Sequence, residues 1–101
     1  MSLYVVMNKH VVSNSVVYYS VRDHINDKQF FLGIHPIEKK LYVYKDDSLS
    51  DLIKIIDFSD PNKIMDSMPN VPRATSNWII AQVYKATLND EYPEKLHFAS
   101  L

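Results

Sequence analysis

Residues 29–45 read QFFLGIHPIEKKLYVYK, and this stretch decides the fold because it holds two strand-like runs separated by a turn. The runs 29–34 and 40–45 are short and rich in aromatic and β-branched residues, which suit a pleated, half-buried surface. Pro36 lies between them, where its fixed φ favours a turn and its missing N–H would interrupt a strand. The stretch therefore predicts an antiparallel hairpin.

Two further segments have the composition of strands. LYVVM (3–7) and SVVYYSVR (15–22) are short and rich in valine and tyrosine. KLHFA (95–99) is either a fifth strand or an ordered tail, and we favour a strand. The segment HVV (10–12) either prolongs the first strand or opens the second, because turn-forming residues flank it on both sides. The chain thus carries four or five predicted strands.

The period of the apolar residues changes after residue 47. Leucine and isoleucine recur at i, i+3, i+4 and i+7 from Leu49 to Ile56, and Ser48 with Asp51 three positions later forms a capping box. This pattern predicts a helix over 49–57.

Two more helices are expected after it. Asp60 is a cap residue before a short helix that begins at Pro61, and a longer helix is predicted over 71–89. Strands followed by helices in blocks are typical of an α+β fold. We expect residues 1–101 to form a single domain, an antiparallel sheet of four to five strands with two or three helices packed on one face.

Composition excludes several classes of site. The chain has no cysteine and one glycine, which removes thiolate chemistry, disulfides and glycine-rich phosphate loops. No apolar run approaches the ~20 residues that span a bilayer and the start lacks a signal-peptide pattern, so we expect a cytoplasmic protein without a membrane partner. The net charge of −1 also argues against a general nucleic-acid binder.

Negative charge is concentrated in one segment. Residues 46–66 contain six aspartates and two lysines, although the whole chain is nearly neutral. Some of these aspartates have a structural reason as helix caps, and a solvated helix face is the ordinary interpretation of the rest. The functional interpretation is an acidic surface that complements a basic partner. The candidate residues are Asp46, Asp47, Asp51, Asp57 and Asp66.

The single tryptophan lies in the polar stripe of the third predicted helix. At 100° per residue, Trp78, Gln82, Lys85 and Asn89 share one side of that helix. Trp78 either packs in the core or is an exposed anchor of an interface, where tryptophan is enriched. We include Trp78 and Lys85 among the candidate partner-binding residues.

The four histidines do not form a recognisable catalytic or metal motif. His10, His24, His35 and His97 are far apart in sequence and have no metal-ligand spacing, so we expect no metal and no cofactor. A small metal-free hydrolase or ribonuclease assembled from scattered histidines stays open, as does a homodimer paired through a free sheet edge. We assign no catalytic residue and predict that the protein is not an enzyme.

The segment KKLYVYK (39–45) interleaves lysines and aromatic residues. Tyr42 and Tyr44 alternate with Leu41 and Val43, so a strand here has one aliphatic and one phenolic face. Tyrosines on a sheet can stack on bases, but we favour an amphipathic strand with lysines at its edge, because no ribonucleoprotein motif accompanies the pattern. We therefore expect no nucleic-acid partner.

Two longer segments resemble a known class of proteins. FFLGIHPIEKKLYVYKDD (30–47) and RATSNWIIAQVYKATLNDEYPEKLHFAS (73–100), joined by a helical linker, are similar to small immunity proteins of bacterial contact-dependent growth inhibition systems. The resemblance implies a soluble antitoxin that binds one toxin domain, often a nuclease, and blocks its active site or substrate surface. These proteins share no transferable residue signature, so the resemblance assigns no residue.

Overall fold

The computed structural model describes residues 3–60, 62, 64 and 67–100, and it contains six strands and one helix in those parts of the chain. The strands are β1 Leu3–Ser13, β2 Val16–Asp23, β3 Lys28–His35, β4 Lys40–Tyr44, β5 Leu52–Asp57 and β6 Lys95–Ser100, and the helix is α1 Arg73–Asn89. The fold is α+β, as the sequence predicts, with more strands and fewer described helices than expected.

One antiparallel sheet has the strand order β5-β4-β3-β2-β1-β6. The first five strands follow one another as a meander, and α1 then crosses the sheet so that β6 pairs with β1 at the opposite edge. Asn14 and Asp27 lie in the first two turns with positive φ, a conformation that asparagine and aspartate tolerate well. The hairpin predicted around Pro36 is confirmed, with His35 paired to Lys40.

The core lies between α1 and one face of the sheet. The aliphatic side of β4 faces the helix, and Leu41 and Val43 have almost no exposed surface. From α1, Ile79, Ile80 and Val83 pack into the same cluster. The long helix predicted over 71–89 is therefore confirmed, and it covers one face only.

The loop from α1 to β6 is fixed to the sheet by hydrogen bonds. The Tyr19 hydroxyl donates to the Pro93 carbonyl at 2.5 Å, and Lys9 Nζ donates to the Tyr92 carbonyl at 3.0 Å. Lys9 also lies 3.0 Å from the Glu94 carboxylate. Burial raises the pKa of the Tyr19 phenol to about 12, with a smaller contribution from the charge of Glu94. These contacts hold the chain where it turns into the edge strand.

The helix predicted over 49–57 is wrong. Leu49 has a φ of 61°, which a right-handed helix does not allow, and residues from Leu52 onward form β5. Ile56 is fully buried opposite Leu41 of β4. β-branched isoleucines that pair with a neighbouring strand outweigh the local helical spacing, because burial depends on tertiary context.

The short helix predicted from Pro61 falls largely outside the described residues, which omit Pro61, Lys63, Met65 and Asp66. Among the described neighbours, Met68 is buried and is not helical. Its backbone N–H donates to Ser76 Oγ at 2.8 Å, which ties this segment to the first turns of α1.

Candidate functional site

The face of the sheet opposite α1 is the candidate site, and we call it the open face. Strand residues alternate between faces, so the residues that lie between successive core residues along each strand define it. Two rows of paired residues cross its centre from β2 to β5, and neither contains an acidic or basic side chain. These central rows are Tyr18, Gly33, Tyr42 and Ile55, and Ser20, Phe31, Tyr44 and Leu52.

Four aromatic side chains of the central rows, Tyr18, Phe31, Tyr42 and Tyr44, form what we call the aromatic cluster. Tyr18 stacks on Phe31 with ring centroids 5.9 Å apart, and Tyr42 stacks on Tyr44 at 6.4 Å. Phe31 is only 7% exposed although it lies on the face opposite the helix. The rings therefore hold one another in place before any partner arrives.

Gly33 allows the rings to converge. A Cβ at this position would lie 3.2 Å from Tyr18 Cε1 and 3.3 Å from Tyr44 Cε2, tighter than ordinary contacts. The only glycine of the chain thus makes room for two phenol rings above the sheet. Burial raises the pKa of Tyr44, and the neighbouring Tyr18 and Tyr42 add to that shift.

A groove of about 490 Å³ connects the aromatic cluster to the acidic loop after β4. It is lined by His10, Ser20, Gln29, Phe30, Phe31, Lys45, Asp46 and Asp47. The Asp46 carboxylate accepts hydrogen bonds from the Ser48 hydroxyl at 2.5 Å and the Ser48 amide at 3.0 Å. These bonds, helped by the charge of Lys45, lower the pKa of Asp46 and keep it ionised at neutral pH.

The remaining predicted acidic residues do not form a helical surface. Asp51 lies in the loop before β5, while Asp57 lies at the other end of that strand, opposite Lys40. Hydrogen bonding to Ser59, assisted by Lys40, lowers the pKa of Asp57. Asp66 is outside the described residues. Asp46 and Asp47 share the groove, whereas Asp57 is separated from them by the length of β5.

Trp78 and Lys85 belong to the helix side of the molecule. The half-buried Trp78 ring stacks on Phe98 of β6 with centroids 5.3 Å apart, so it packs over the last strand. Lys85 lines a separate groove of about 240 Å³ beside Leu96. The structure therefore places these two candidates and the acidic loop on different faces, and a single docking surface would not contain all of them.

All four histidines are associated with the open face. His10 contacts the Phe31 ring at 5.1 Å and His35 contacts Tyr42 at 4.1 Å, but each lines a different groove. His24 packs on Tyr4, and His97 is exposed on β6 opposite Val6. Within the described ranges, no three histidine or carboxylate side chains are grouped as metal ligands would be.

Sequence reasoning identified Tyr42 and Tyr44 as one face of a strand but missed the rest of the cluster. The missed signal is the doublets YY at 18–19 and FF at 30–31. Because adjacent strand residues point to opposite faces, each doublet supplies one ring to the core and one to the other face. Apolar residues on both faces of neighbouring strands predict that each face of the sheet has apolar side chains to bury.

Comparisons of the chain with family models, with curated proteins and with solved structures found no match. None of the helical segments that the structure describes is both long and apolar enough to cross a membrane.

Proposed function

We propose that this protein is a binding protein without catalytic activity, and that it docks a partner protein on the open face. The observation that carries the proposal is the central pair of rows, where aromatic and aliphatic side chains lie on a sheet surface without a charge among them. Antiparallel sheets with one solvated face usually place polar residues there. An apolar face of this kind favours contact with another macromolecule.

The distribution of charge supports a protein partner. Arg22 flanks the central rows on one side, and Lys40 with Asp57 flanks them on the other. Protein interfaces have the same arrangement, with tyrosine enriched in the middle and charge at the rim. The acidic groove wall at Asp46 and Asp47 favours a partner with a basic surface, which it would attract and orient.

The partner class that we propose is a bacterial toxin domain, which the protein blocks by covering its active site or substrate surface. This part rests on the resemblance of residues 30–47 and 73–100 to immunity proteins and on the acidic rim. A nuclease toxin binds a polyanion, so its substrate surface is basic and complements carboxylates.

A second candidate function is binding of single-stranded nucleic acid. It is favoured by Tyr42 and Tyr44, whose half-buried rings are adjacent. Lys40 at the start of β4 and Lys45 directly after its end would face the phosphates. Base stacking on such rings is worth roughly 1–3 kcal/mol per base. The acidic groove wall opposes a polyanion, and we therefore rank this candidate below a protein partner.

Affinity capture from the source cells tests the proposal when it is followed by an inhibition assay. The wild-type protein should retain one main protein and inhibit its toxic or enzymatic activity. Tyr42→Ala should weaken both effects because it removes a central ring, whereas Leu88→Ala, at a helix residue that is 68% exposed, should not.

Three results would contradict the proposal. A captured protein whose activity is unaffected would remove the inhibitory role. Equal capture by Tyr42→Ala, together with loss of capture by Lys85→Glu, would move the site to the helix side. Tight binding of a labelled oligouridine or oligothymidine at physiological salt would replace the protein partner by a nucleic acid.

A further inference from the structure

Exposed aliphatic side chains are concentrated at the β5 edge of the sheet. Ten large hydrophobic side chains are exposed among the described residues, and four of them lie within residues 49–55. Leu49, Leu52, Ile53 and Ile55 are each between 38% and 47% exposed. Exposed aliphatic side chains gathered along one edge strand mark an interaction site more often than scattered exposed residues do.

The backbone of β5 has hydrogen-bonding groups directed away from β4. The Phe58 N–H donates to the Lys39 carbonyl at 2.9 Å, and the next pair along the ladder is Asp57 with Lys40. Because these pairs alternate in an antiparallel ladder, Ile55 and Asp57 direct their N–H and C=O groups outward. No described strand pairs with that side of β5.

The outward stretch is short, and its length limits what can pair with it. The register shifts beside Val43 and Tyr44, so Ile53 lies at a β-bulge and leaves the regular alternation. Bulges of this type hinder the addition of long strands to an edge. The regular outward positions are therefore Ile55 and Asp57, with Ile56 between them.

We infer that this edge binds a second copy of the chain, in an antiparallel pair centred on Ile56. In this register Ile55 of each copy lies opposite Asp57 of the other, and the two positions supply about four hydrogen bonds. Two-fold symmetry matches every outward donor with an outward acceptor, so the short stretch complements itself without a longer strand.

The opposite edge of the sheet has a different character. The exposed side chains of β6 include Lys95 and His97, and lysine on an edge strand is a common protection against pairing. β5 carries one lysine, the half-buried Lys54, but its exposed side chains at Leu52, Ile53 and Ile55 are aliphatic. Association through β5 therefore gives a closed dimer instead of a growing sheet.

The dimer extends the open face without covering it. A two-fold axis perpendicular to the sheet keeps both open faces on the same side, so the open face of one copy continues into that of the other, with Ile55 and Asp57 of both copies at the seam. A short ladder falls below the ~1,200 Å² of a standard interface, so we expect weak association that becomes detectable only at high protein concentration. This inference does not depend on the proposed partner, because the pair forms from the chain alone.

Cysteine cross-linking tests the register directly, because the native chain has no cysteine. Cα atoms of a hydrogen-bonded antiparallel pair lie ~5.5 Å apart, within the ~4.4–6.8 Å range of disulfides. The Ile55→Cys and Asp57→Cys proteins are mixed in equal amounts under mild oxidation. The disulfide that joins the two variants should be several-fold more abundant than the disulfide that either variant forms with itself. Mass spectrometry separates the mixed species from the two symmetric ones.

Leu88→Cys is the matched control, since it places a thiol at an exposed aliphatic residue of α1. The inference would be overturned if the mixed disulfide were no more abundant than the disulfide between two Leu88→Cys chains.

Sedimentation velocity gives a second measurement on the unmodified protein. The wild type and Leu88→Lys should shift towards dimer as concentration rises to about 1 mM, whereas Ile55→Lys should stay monomeric. A wild type that is monomeric throughout would also overturn the inference.

Discussion

The two faces of the sheet have similar apolar residues but differ in what covers them. On β4, Leu41 and Val43 are almost fully buried beneath α1, while Tyr42 and Tyr44 on the open face are half-buried by their neighbours alone. Apolar character alone does not distinguish the face that α1 covers from the open face. The position of the helix does.

This difference has an energetic consequence. Apolar area removed from water contributes about 25 cal/mol per Å², and on the helix side a second element removes nearly all of it. On the open face the rings cover one another only in part, so much of that contribution is not realised in the isolated chain. Substitutions on the two faces should therefore affect different measurements.

The largest expected effect separates the faces at adjacent residues of β4. Leu41→Ala should lower the free energy of unfolding by about 2–5 kcal/mol, because it leaves a cavity under α1. Tyr42→Ala should lower it by only about 1 kcal/mol, since it removes one half-buried ring stacked on Tyr44. Urea denaturation followed by circular dichroism measures both. Equal losses would mean that the open face is a second core and not a reserved surface.

The tyrosine doublet at 18–19 gives a second test, because Tyr19 faces the core and Tyr18 the open face. The pKa of Tyr19 is raised to about 12, so an unfolded chain loses this proton near pH 10 and the folded chain does not. The free energy of unfolding should hold below pH 10 and, with allowance for solvent screening, fall by about 1–2 kcal/mol as pH rises to 12.

Tyr19→Phe is the control for that decline. It should be less stable at neutral pH by about 1 kcal/mol, because the Pro93 carbonyl loses its donor, and its stability should fall less steeply above pH 10. Parallel pH profiles for the two proteins would show that Tyr19 is not the titrating group. Tyr18→Phe should resemble the wild type if the two faces differ as described.

Most strands could be predicted from sequence because composition and turn residues agree locally. Pro36 with its flanking runs located the β3–β4 hairpin, and the apolar spacing of residues 71–89 located α1. The prediction of a helix over 49–57 failed because the isoleucines of this segment satisfy helical spacing and strand propensity at once. Only the pairing of Ile56 with Leu41 of β4 decides between them, and that contact is not local.

The candidate site was harder to predict from the sequence than the fold. Asp46 and Asp47 were singled out for their charge, and the structure brings them to a groove beside Phe31. The aromatic cluster itself depends on the registers of β2, β3 and β4, which bring Tyr18, Gly33 and Tyr42 into one row. A sequence read strand by strand does not contain those registers, although the doublets suggest them.

Gly33→Ala sharpens the comparison at the centre of the open face. The added methyl meets the rings of Tyr18 and Tyr44, which can shift outward by a few tenths of an ångström because no element covers them. The lower entropy of an unfolded alanine chain offsets part of the strain, so stability should change by less than about 1 kcal/mol. Ring proton chemical shifts of Tyr18 and Tyr44 should change clearly. A loss above about 2 kcal/mol would indicate a rigidly packed face.

The smallest effect concerns the two aspartates at the ends of the open face. The pKa values of Asp46 and Asp57 are lowered mainly by hydrogen bonds from Ser48 and Ser59. Their stabilising contribution is therefore present above the ordinary pKa of about 4 and is lost as pH falls through the lowered values. Ser48→Ala and Ser59→Ala should remove part of this acid sensitivity and shift the melting temperature slightly at pH 7 but not at pH 2. If both proteins keep the wild-type profile, the hydrogen bonds from Ser48 and Ser59 contribute nothing to the stability of the fold.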